Sequence, residues 1–183
     1  MKILITGHTS SIGSMLYEHL RKKYEVIGAS RSTDYDLSTY QGVVKLLEAS
    51  KDSDHFINLA NINSQADLLY SVYNIWSEVG KGGKIINFGT LATEVPYSLL
   101  KKIPVDMNMV ARKLSLEKMH KELAYKQPFG NQPQSTLIRF ANYGQKPGHR
   151  DNEPFTRSDQ MIKVIDFILE SDTYISNIDF REI

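Results

Sequence analysis

The sequence predicts an α/β protein with a doubly wound, mainly parallel sheet of about six or seven strands and helices on both faces. Short, uninterrupted apolar runs alternate along the 183 residues with longer segments in which apolar residues recur at helical spacing. Apolar runs of this kind are typical of strands that are buried on both faces, as in a parallel sheet. The alternation extends over the whole chain without a linker, so residues 1–183 are predicted to form one domain.

The predicted strands share an apolar centre bounded by glycine or polar residues. In chain order they cover residues 3–5, 25–30, 55–60, 84–89, 135–140 and 174–181.

The predicted helices lie between these strands and share one apolar stripe each. In chain order they cover about 12–20, 40–47, 65–79, 104–126 and 161–169. Ser38 is a candidate N-cap of the second helix, and Pro104 is allowed in the first turn of the fourth.

One connection is too short for a regular βαβ unit. Residues 30–36 leave no room for a crossover helix, which parallel neighbours need. Residues 34–37 are therefore predicted as an edge segment instead of a full parallel strand.

Composition excludes several classes of protein. The formal net charge is +1, which favours neither a nucleic-acid nor a membrane partner. The chain has no cysteine, so disulfides and thiolate chemistry are excluded, and its five histidines have no spacing typical of a metal site. No apolar run is long enough to span a bilayer, and the N-terminus does not resemble a signal peptide. We therefore expect a soluble cytoplasmic protein without a metal.

A glycine-containing loop joins the first strand to the first helix. Glycines there let the backbone approach a pyrophosphate, and the helix N-terminus supplies unpaired N–H groups. A plain strand-to-helix turn is the alternative interpretation. The position favours a dinucleotide site with a Rossmann-like fold, and its candidate ligands are Gly7, Ser10, Ser11, Ile12 and Gly13.

These residues resemble the first loop of the short-chain dehydrogenase/reductase superfamily. Gly7 and Gly13 match the outer glycines of its motif, and Ser11 stands where the middle glycine would be. The N-terminal half is similar to dTDP-4-dehydrorhamnose reductases. The resemblance implies a nicotinamide cofactor, with Asp36 and Leu37 beside the adenine and with Leu59, Ala60 and Asn61 at the end of the third strand.

Two later segments extend the resemblance. Lys113 and Glu117 resemble the Lys-x-x-x-Glu helix of extended members, and Arg139 with Asn142 and Tyr143 resembles their Arg-x-x-Asn-x-Tyr-Gly segment. The chain has room for only a small C-terminal part compared with the substrate lobe of those members.

The end of the second strand favours NADP, with NAD as second choice. A carboxylate there would bind the ribose of NAD, whereas an arginine accommodates a 2′-phosphate. Arg31 and Ser32 occupy that position. A solvated surface arginine is the alternative interpretation of Arg31.

The resemblance implies three catalytic groups. They are a tyrosine that acts as the acid, a lysine four residues after it, and a hydroxyl that follows the fifth strand of the family's fold. Thr90 is the candidate hydroxyl, although it could also be a turn residue or cap. Tyr97 and Lys101 satisfy Tyr-x-x-x-Lys, but Tyr97 follows Thr90 closely and Pro104 separates the pair from the long helix. Lys113 lies within that helix, and in its register Met109 replaces the tyrosine. A methionine cannot transfer a proton, and core packing is its simplest interpretation.

Two functions remain open. The first is an NADP-dependent oxidoreductase that transfers hydride to or from a carbonyl or hydroxyl of a small molecule or sugar, with a degenerate tyrosine position. The second is an inactive NAD(P)-binding sensor or partner protein of the same fold.

Two further expectations concern surfaces. Apolar residues cover more than one stripe of helices 65–79 and 104–126, which favours a homodimer through this pair, as the resemblance also implies. The polar loop 142–157 leaves the carboxyl end of a strand and is a candidate substrate lid.

Overall fold

The computed structural model describes residues 1–100, 105–126, 132–140, 142–143, 155–156 and 158–180. Its strands, in chain order, are β1 (Lys2–Thr6), β2 (Glu25–Ala29), β3 (His55–Asn58), β4 (Lys84–Phe88), β5 (Gln134–Phe140), β6 (Asn142–Tyr143), β7 (Phe155–Thr156) and β8 (Asn177–Phe180). Its helices are α1 (Ser11–Leu20), α2 (Tyr40–Lys51), α3 (Gln65–Glu78), α4 (Tyr97–Leu100), α5 (Met107–Ala124) and α6 (Ser158–Glu170).

Six strands form one parallel sheet in the order β2-β1-β3-β4-β5-β8. The short strands β6 and β7 pair separately. The predicted parallel α/β architecture is therefore confirmed. The last strand begins at Asn177, where its ladder to β5 starts, later than the predicted residue 174, and residue 181 lies outside the described residues.

Each inner strand sends alternate side chains to two separate hydrophobic cores, because side chains on a strand alternate between faces. On one face Leu4 and Phe56 pack with residues of α2, α3 and α5. On the other, Ile5 and Ile57 pack with residues of α1 and α6. The sheet is thus covered on both faces, as predicted.

The predicted edge segment contains no strand. A single 3-10 turn spans Arg31–Thr33, and Asp34 follows in the left-handed region at φ 63°. The chain then enters α2 with Thr39 as its N-cap, whose hydroxyl accepts from the N–H of Gly42 at 3.1 Å. The expectation of Ser38 as the cap is wrong, because the Ser38 hydroxyl and N–H both donate to Asp36 instead.

Helix α5 begins after Asp106, whose carboxylate accepts from the N–H of Asn108 at 2.9 Å. The predicted first-turn residue Pro104 lies outside the described residues. The candidate lid 142–157 also lies outside them, apart from the backbone of β6 and β7.

Most of the apolar surplus on α3 is buried within this one chain. Leu69, Val72 and Tyr73 belong to the core, and the indole N–H of Trp76 donates to the carbonyl of Ser50 at 2.9 Å. Helices α5 and α2 both pack against α3 within the chain, so most of these apolar residues have a partner that the sequence did not indicate. In the described part of the chain, the helices lack the combined length and hydropathy that crossing a bilayer requires.

Candidate functional site

A cleft of about 960 Å³ lies along the sheet edge where β1, β3 and β4 end. Strand ends of parallel α/β sheets commonly form ligand sites. The cleft brings together twelve of the thirteen predicted cofactor residues, namely Gly7, Ser10, Ser11, Ile12, Arg31, Ser32, Asp36, Leu37, Leu59, Ala60, Asn61 and Lys113. It also contains Thr90 and Met109.

Gly13 does not line the cleft but shapes the loop that does. A Cβ atom at Gly13 would lie 2.0 Å from the carbonyl oxygen of Gly7, so the helix contacts the loop backbone directly. Gly7 itself has φ +70°, which glycine adopts without strain. Ser10 caps α1, its hydroxyl accepting from the N–H of Gly13 at 3.1 Å.

The start of α1 leaves backbone donors for a ligand. Within the described residues, the N–H of Gly13 and that of Ser14 are bonded to Ser10, whereas those of Ser11 and Ile12 have no acceptor. Both residues line the cleft. N–H groups at the positive end of a helix dipole are suited to a phosphate group.

Thr6 connects the glycine loop to the end of β3. Its buried hydroxyl accepts from the N–H groups of Leu59 and Ala60 at 3.0 and 3.1 Å. The sequence analysis did not assign Thr6 to the site. The available signal was its place immediately before Gly7, at the carboxyl end of a buried strand.

The turn after β2 presents an arginine to the cleft. The Thr33 hydroxyl closes the turn by donating to the carbonyl of Gly28 at 2.8 Å and accepting from the N–H of Ser30 at 3.0 Å. Arg31 is exposed and lines the cleft. Hydrogen bonds from the Ser38 hydroxyl and N–H, with a smaller contribution from Arg31, lower the pKa of Asp36.

Thr90 is the cap of a turn and also a residue of the cleft. It caps the 3-10 turn Leu91–Glu94, with its hydroxyl accepting from the N–H of Ala92 at 3.3 Å. It also lines the cleft, where its hydroxyl can donate to a ligand oxygen.

Lys113 is 7% exposed, and its ammonium donates to the carbonyl of Phe88 and to Oε1 of Gln65, both at 2.7 Å. Burial, with a smaller contribution from the neighbouring Arg112, lowers the pKa of Lys113 to about 8. A desolvated ammonium loses more stabilisation than the neutral amine, which explains the direction.

A buried amide network holds the acceptor of Lys113. Nε2 of Gln65 donates to the carbonyl of Asn58 at 2.8 Å, and Nδ2 of Asn58 donates back to the carbonyl of Gln65 at 3.0 Å. Asn58 also donates to Oδ1 of Asn87 at 3.1 Å. The sequence analysis assigned neither Gln65 nor Asn87 to the site, because both belong to apparently ordinary elements and meet only through the sheet.

Arg139 has three carboxylate partners, and one of them, Glu117, lies on the same helix as Lys113. Arg139 on β5 forms two 2.8 Å bonds with Asp179 and contacts Glu94 at 2.6 Å and Glu117 at 3.7 Å. Burial opposes its charge, but the hydrogen bonds and charges of these carboxylates raise the pKa of Arg139. Thr93 donates to Glu117, which ties the turn after Thr90 to α5.

Comparisons with known proteins agree with this geometry. Residues 3–80 match the model of the NAD dependent epimerase/dehydratase family. No curated protein matches the chain. Among solved structures, the short-chain dehydrogenase from Burkholderia cenocepacia in complex with NADP has a TM-score of 0.72 at 15% identity, covering 97% of this chain and 87% of its own.

Two further structures give the same result. The 3-alpha-hydroxysteroid dehydrogenase from a Pseudomonas species, complexed with NADH, has a TM-score of 0.73 at 15% identity and covers 98% of this chain and 95% of its own. The fold is that of a short-chain dehydrogenase/reductase. The GDP-L-fucose synthetase from Naegleria fowleri, with a TM-score of 0.68 at 15% identity, covers 98% of this chain and 76% of its own. The resemblance predicted from the sequence is confirmed for the fold.

Within this short-chain dehydrogenase/reductase fold, the two candidate positions for the catalytic pair, Met109 with Lys113 and Tyr97 with Lys101, lie in different segments of the chain. Met109 and Lys113 lie on α5 and both line the cleft. Tyr97 lies on the separate short helix α4, is 62% exposed and is not among the cleft residues. Lys101 lies outside the described residues.

The described residues of this short-chain dehydrogenase/reductase fold contain no group of three His, Asp or Glu side chains arranged for a metal ion. Buried His120 bonds to Ser135 at 2.8 Å, and burial lowers its pKa to about 4. Its ring is therefore neutral at physiological pH.

Proposed function

We propose that this chain binds a nicotinamide dinucleotide, NADP(H) in preference to NAD(H), and transfers hydride to or from a carbonyl or hydroxyl of a small molecule or sugar. The cleft carries the proposal, because it combines free helix N–H groups, an arginine after β2 and a buried lysine along one sheet edge. The bound nicotinamide would supply the hydride.

Residues along the length of the cleft are suited to a nicotinamide dinucleotide. Ser11 and Ile12 would hold the pyrophosphate with backbone N–H groups, while Asp36 and Leu37 would border the adenine. Arg31 and Ser32 would hold the 2′-phosphate. Thr90 and Lys113 stand at the far end, where they would bind the substrate oxygen and the nicotinamide ribose.

Replacing Arg31 by alanine is expected to weaken NADPH binding by roughly 10- to 100-fold, because a charge-assisted pair contributes about 1.5–3 kcal/mol. NADH affinity should change less than about twofold, since NADH has no 2′-phosphate for Arg31 to bind. Titration followed by nicotinamide fluorescence measures both affinities.

Arg21 is the matched control for that substitution. It is an exposed arginine at the C-terminus of α1, its guanidinium contacts Glu18 at 3.3 Å and lies 5.8 Å from the centre of the Tyr17 ring, and it is not among the residues that line the cleft. Arg21→Ala should leave both affinities unchanged. Equal wild-type affinities for NADPH and NADH, or unaltered NADPH binding in Arg31→Ala, would contradict the proposed preference.

Met109 favours a second candidate function. A thioether stands in the cleft where the resembling family has its acid, so the chain could bind the dinucleotide as a sensor or partner subunit without turnover. A panel of aldehydes, ketones and keto-sugars, with NADPH oxidation followed by absorbance, separates the two functions.

We also propose a homodimer through α3 and α5. Met107 and Leu114 on α5 remain 40% and 47% exposed, and Tyr70 on α3 is also exposed. Burying such side chains against a second copy would remove apolar surface from water. Light scattering should give twice the chain mass of 20.9 kDa, and a 20.9 kDa particle at micromolar concentration would contradict the dimer.

A further inference from the structure

Reduction of a carbonyl requires a proton donor beside the reacting oxygen. The described residues that line the cleft around the end of β4 include one with a titratable side chain, which is Lys113. The group consists of Phe88, Gly89, Thr90, Met109, Lys113 and Phe140. The other titratable cleft residues, Arg31, Tyr35 and Asp36, belong to the segment after β2.

We propose that Lys113 itself exchanges the proton with the substrate oxygen, and that Gln65 is its positioning residue. This inference rests on the proposed function. It gives the remaining N–H of Lys113 to the substrate oxygen in place of the nicotinamide ribose, and so assigns to the ammonium the role of the tyrosine that this register lacks.

Two hydrogen bonds hold the ammonium of Lys113 in place, and one of its N–H groups remains available to a ligand. Of its three N–H groups, one donates to Phe88 and one to Gln65. The third has no acceptor among the described residues, and Lys113 borders the cleft. Because Phe88 ends β4 and Gln65 begins α3, the ammonium is located by two elements of the fold.

Gln65 is itself held on both sides. Its side-chain Nε2 donates to the backbone carbonyl of Asn58, its own backbone carbonyl accepts from Nδ2 of Asn58, and its Oε1 accepts from Lys113. Gln65 is 1% exposed, which excludes water from that contact. An uncharged acceptor orients the ammonium without neutralising it.

The charged groups around Lys113 do not cancel its charge. Arg112 and Glu117 share its helix, Arg139 lies on β5, Glu94 on the turn after Thr90, and Asp67 in the first turn of α3. Glu117 is engaged by Arg139 and Thr93. Since the pKa of Lys113 is about 8, both its protonated and neutral forms are accessible near neutral pH, as an acid–base group requires.

Atoms and electrons balance in the reduction of a carbonyl with Lys113 as the proton donor. The carbonyl carbon gains the hydride, the C=O π pair becomes the third lone pair of the oxygen, and that oxygen takes a proton from the ammonium of Lys113. The lysine is left as a neutral amine and regains its proton from water in the cleft. Alcohol oxidation is the reverse, with the amine accepting the hydroxyl proton.

A direct test that needs no turnover is the pKa of Lys113, measured by NMR on protein with labelled lysine. Gln65→Glu places a carboxylate beside the ammonium and should raise this pKa, whereas Gln65→Met removes the acceptor and should lower it. A purely structural role for Gln65 predicts no opposite shifts. Gln41→Glu, on the exposed face of α2, is the control for added charge and should have no effect.

Turnover provides the second test. Lys113→Ala should lower the rate of NADPH oxidation by about 10²- to 10⁴-fold, and small primary amines should restore part of it. The pH profile of kcat should move with Gln65→Glu and Gln65→Met in the same directions as the NMR pKa. The amine rescue does not depend on the Gln65 variants, so it decides the question even if one of them fails to fold.

The outcomes separate the inference from the function on which it rests. Absence of NADPH binding in the wild type overturns both. Turnover that survives in Lys113→Ala, or that no amine restores, overturns the inference alone. Turnover lost in Tyr97→Phe with NADPH binding intact would assign the proton to the other register, and binding without reduction of any carbonyl would assign the sensor function.

Discussion

Gly13→Ala is expected to weaken NADPH binding by roughly 10²-fold or more and to destabilise the fold by about 1–3 kcal/mol. The added Cβ would lie 2.0 Å from the carbonyl oxygen of Gly7 and 2.8 Å from Cα of His8. These are backbone atoms, so the loop must move as a whole. The N–H groups of Ser11 and Ile12 move with it, and the proposed phosphate site is lost.

The predicted loss of stability in Gly13→Ala is opposite in sign to the effect that helix propensity alone would have. Gly13 lies inside α1, where alanine should stabilise a helix by about 1 kcal/mol through intrinsic propensity alone. We expect the steric overlap to exceed that gain. Thermal unfolding gives the stability, and fluorescence titration gives the affinity.

Ser14→Ala is the matched control. Ser14 is the next residue of α1 and is exposed, and its hydroxyl only donates to the carbonyl of Ser11 at 3.2 Å. Binding and stability should both stay close to wild type. A Gly13→Ala protein that binds NADPH normally would show that the loop does not hold the dinucleotide.

Arg139→Met is expected to cost about 3 kcal/mol of stability, the lower end of the range for breaking a buried pair, because Glu117 is buried whereas Glu94 and Asp179 are partly exposed. The Arg139 side chain is 14% exposed, and Glu117 beside it is buried. Without the arginine, the buried Glu117 carboxylate would lose its cation partner at 3.7 Å and keep the Thr93 hydroxyl among its described side-chain partners. For a chain of this length the loss corresponds to a Tm decrease of roughly 10 °C.

A surface pair provides the comparison. Lys51 and Glu48 contact each other at 2.8 Å on the exposed side of α2, and Lys51→Met should change stability by less than about 0.5 kcal/mol. Adding Glu117→Gln to Arg139→Met should recover part of the loss, since one unpaired charge is removed. Equal Tm values for Arg139→Met and Lys51→Met would show that Arg139 and its carboxylate partners stabilise the fold no more than a surface ion pair does.

The sequence determined the strands of the sheet and the position of the glycine loop. Runs such as residues 3–5 and 85–86 are apolar on successive positions, which indicates burial on both faces and hence a parallel sheet. The short connection 30–36 similarly excluded a crossover helix. Both are local properties, since they depend only on neighbours along the chain.

One local expectation failed because two neighbouring residues had the same local signal. Ser38 and Thr39 can each cap a helix, and the turn at Asp36 decided between them by engaging Ser38. The apolar surplus on α3 had two interpretations as well, a second chain or another helix. Within the chain α5 and α2 both pack against α3, and the dimer stays a prediction.

The tertiary structure alone decided which side chains surround Lys113. Gln65 and Lys113 are 48 positions apart in sequence, and Lys113 and Phe88 are 25 apart. Their contacts depend on which helix lies beside which strand, and hydrophobic periodicity contains no information about that choice. Periodicity fixes which face of an element is buried, whereas strand order and helix placement fix its partners. For that reason the dinucleotide loop could be predicted from the sequence, but the surroundings of the candidate proton donor could not.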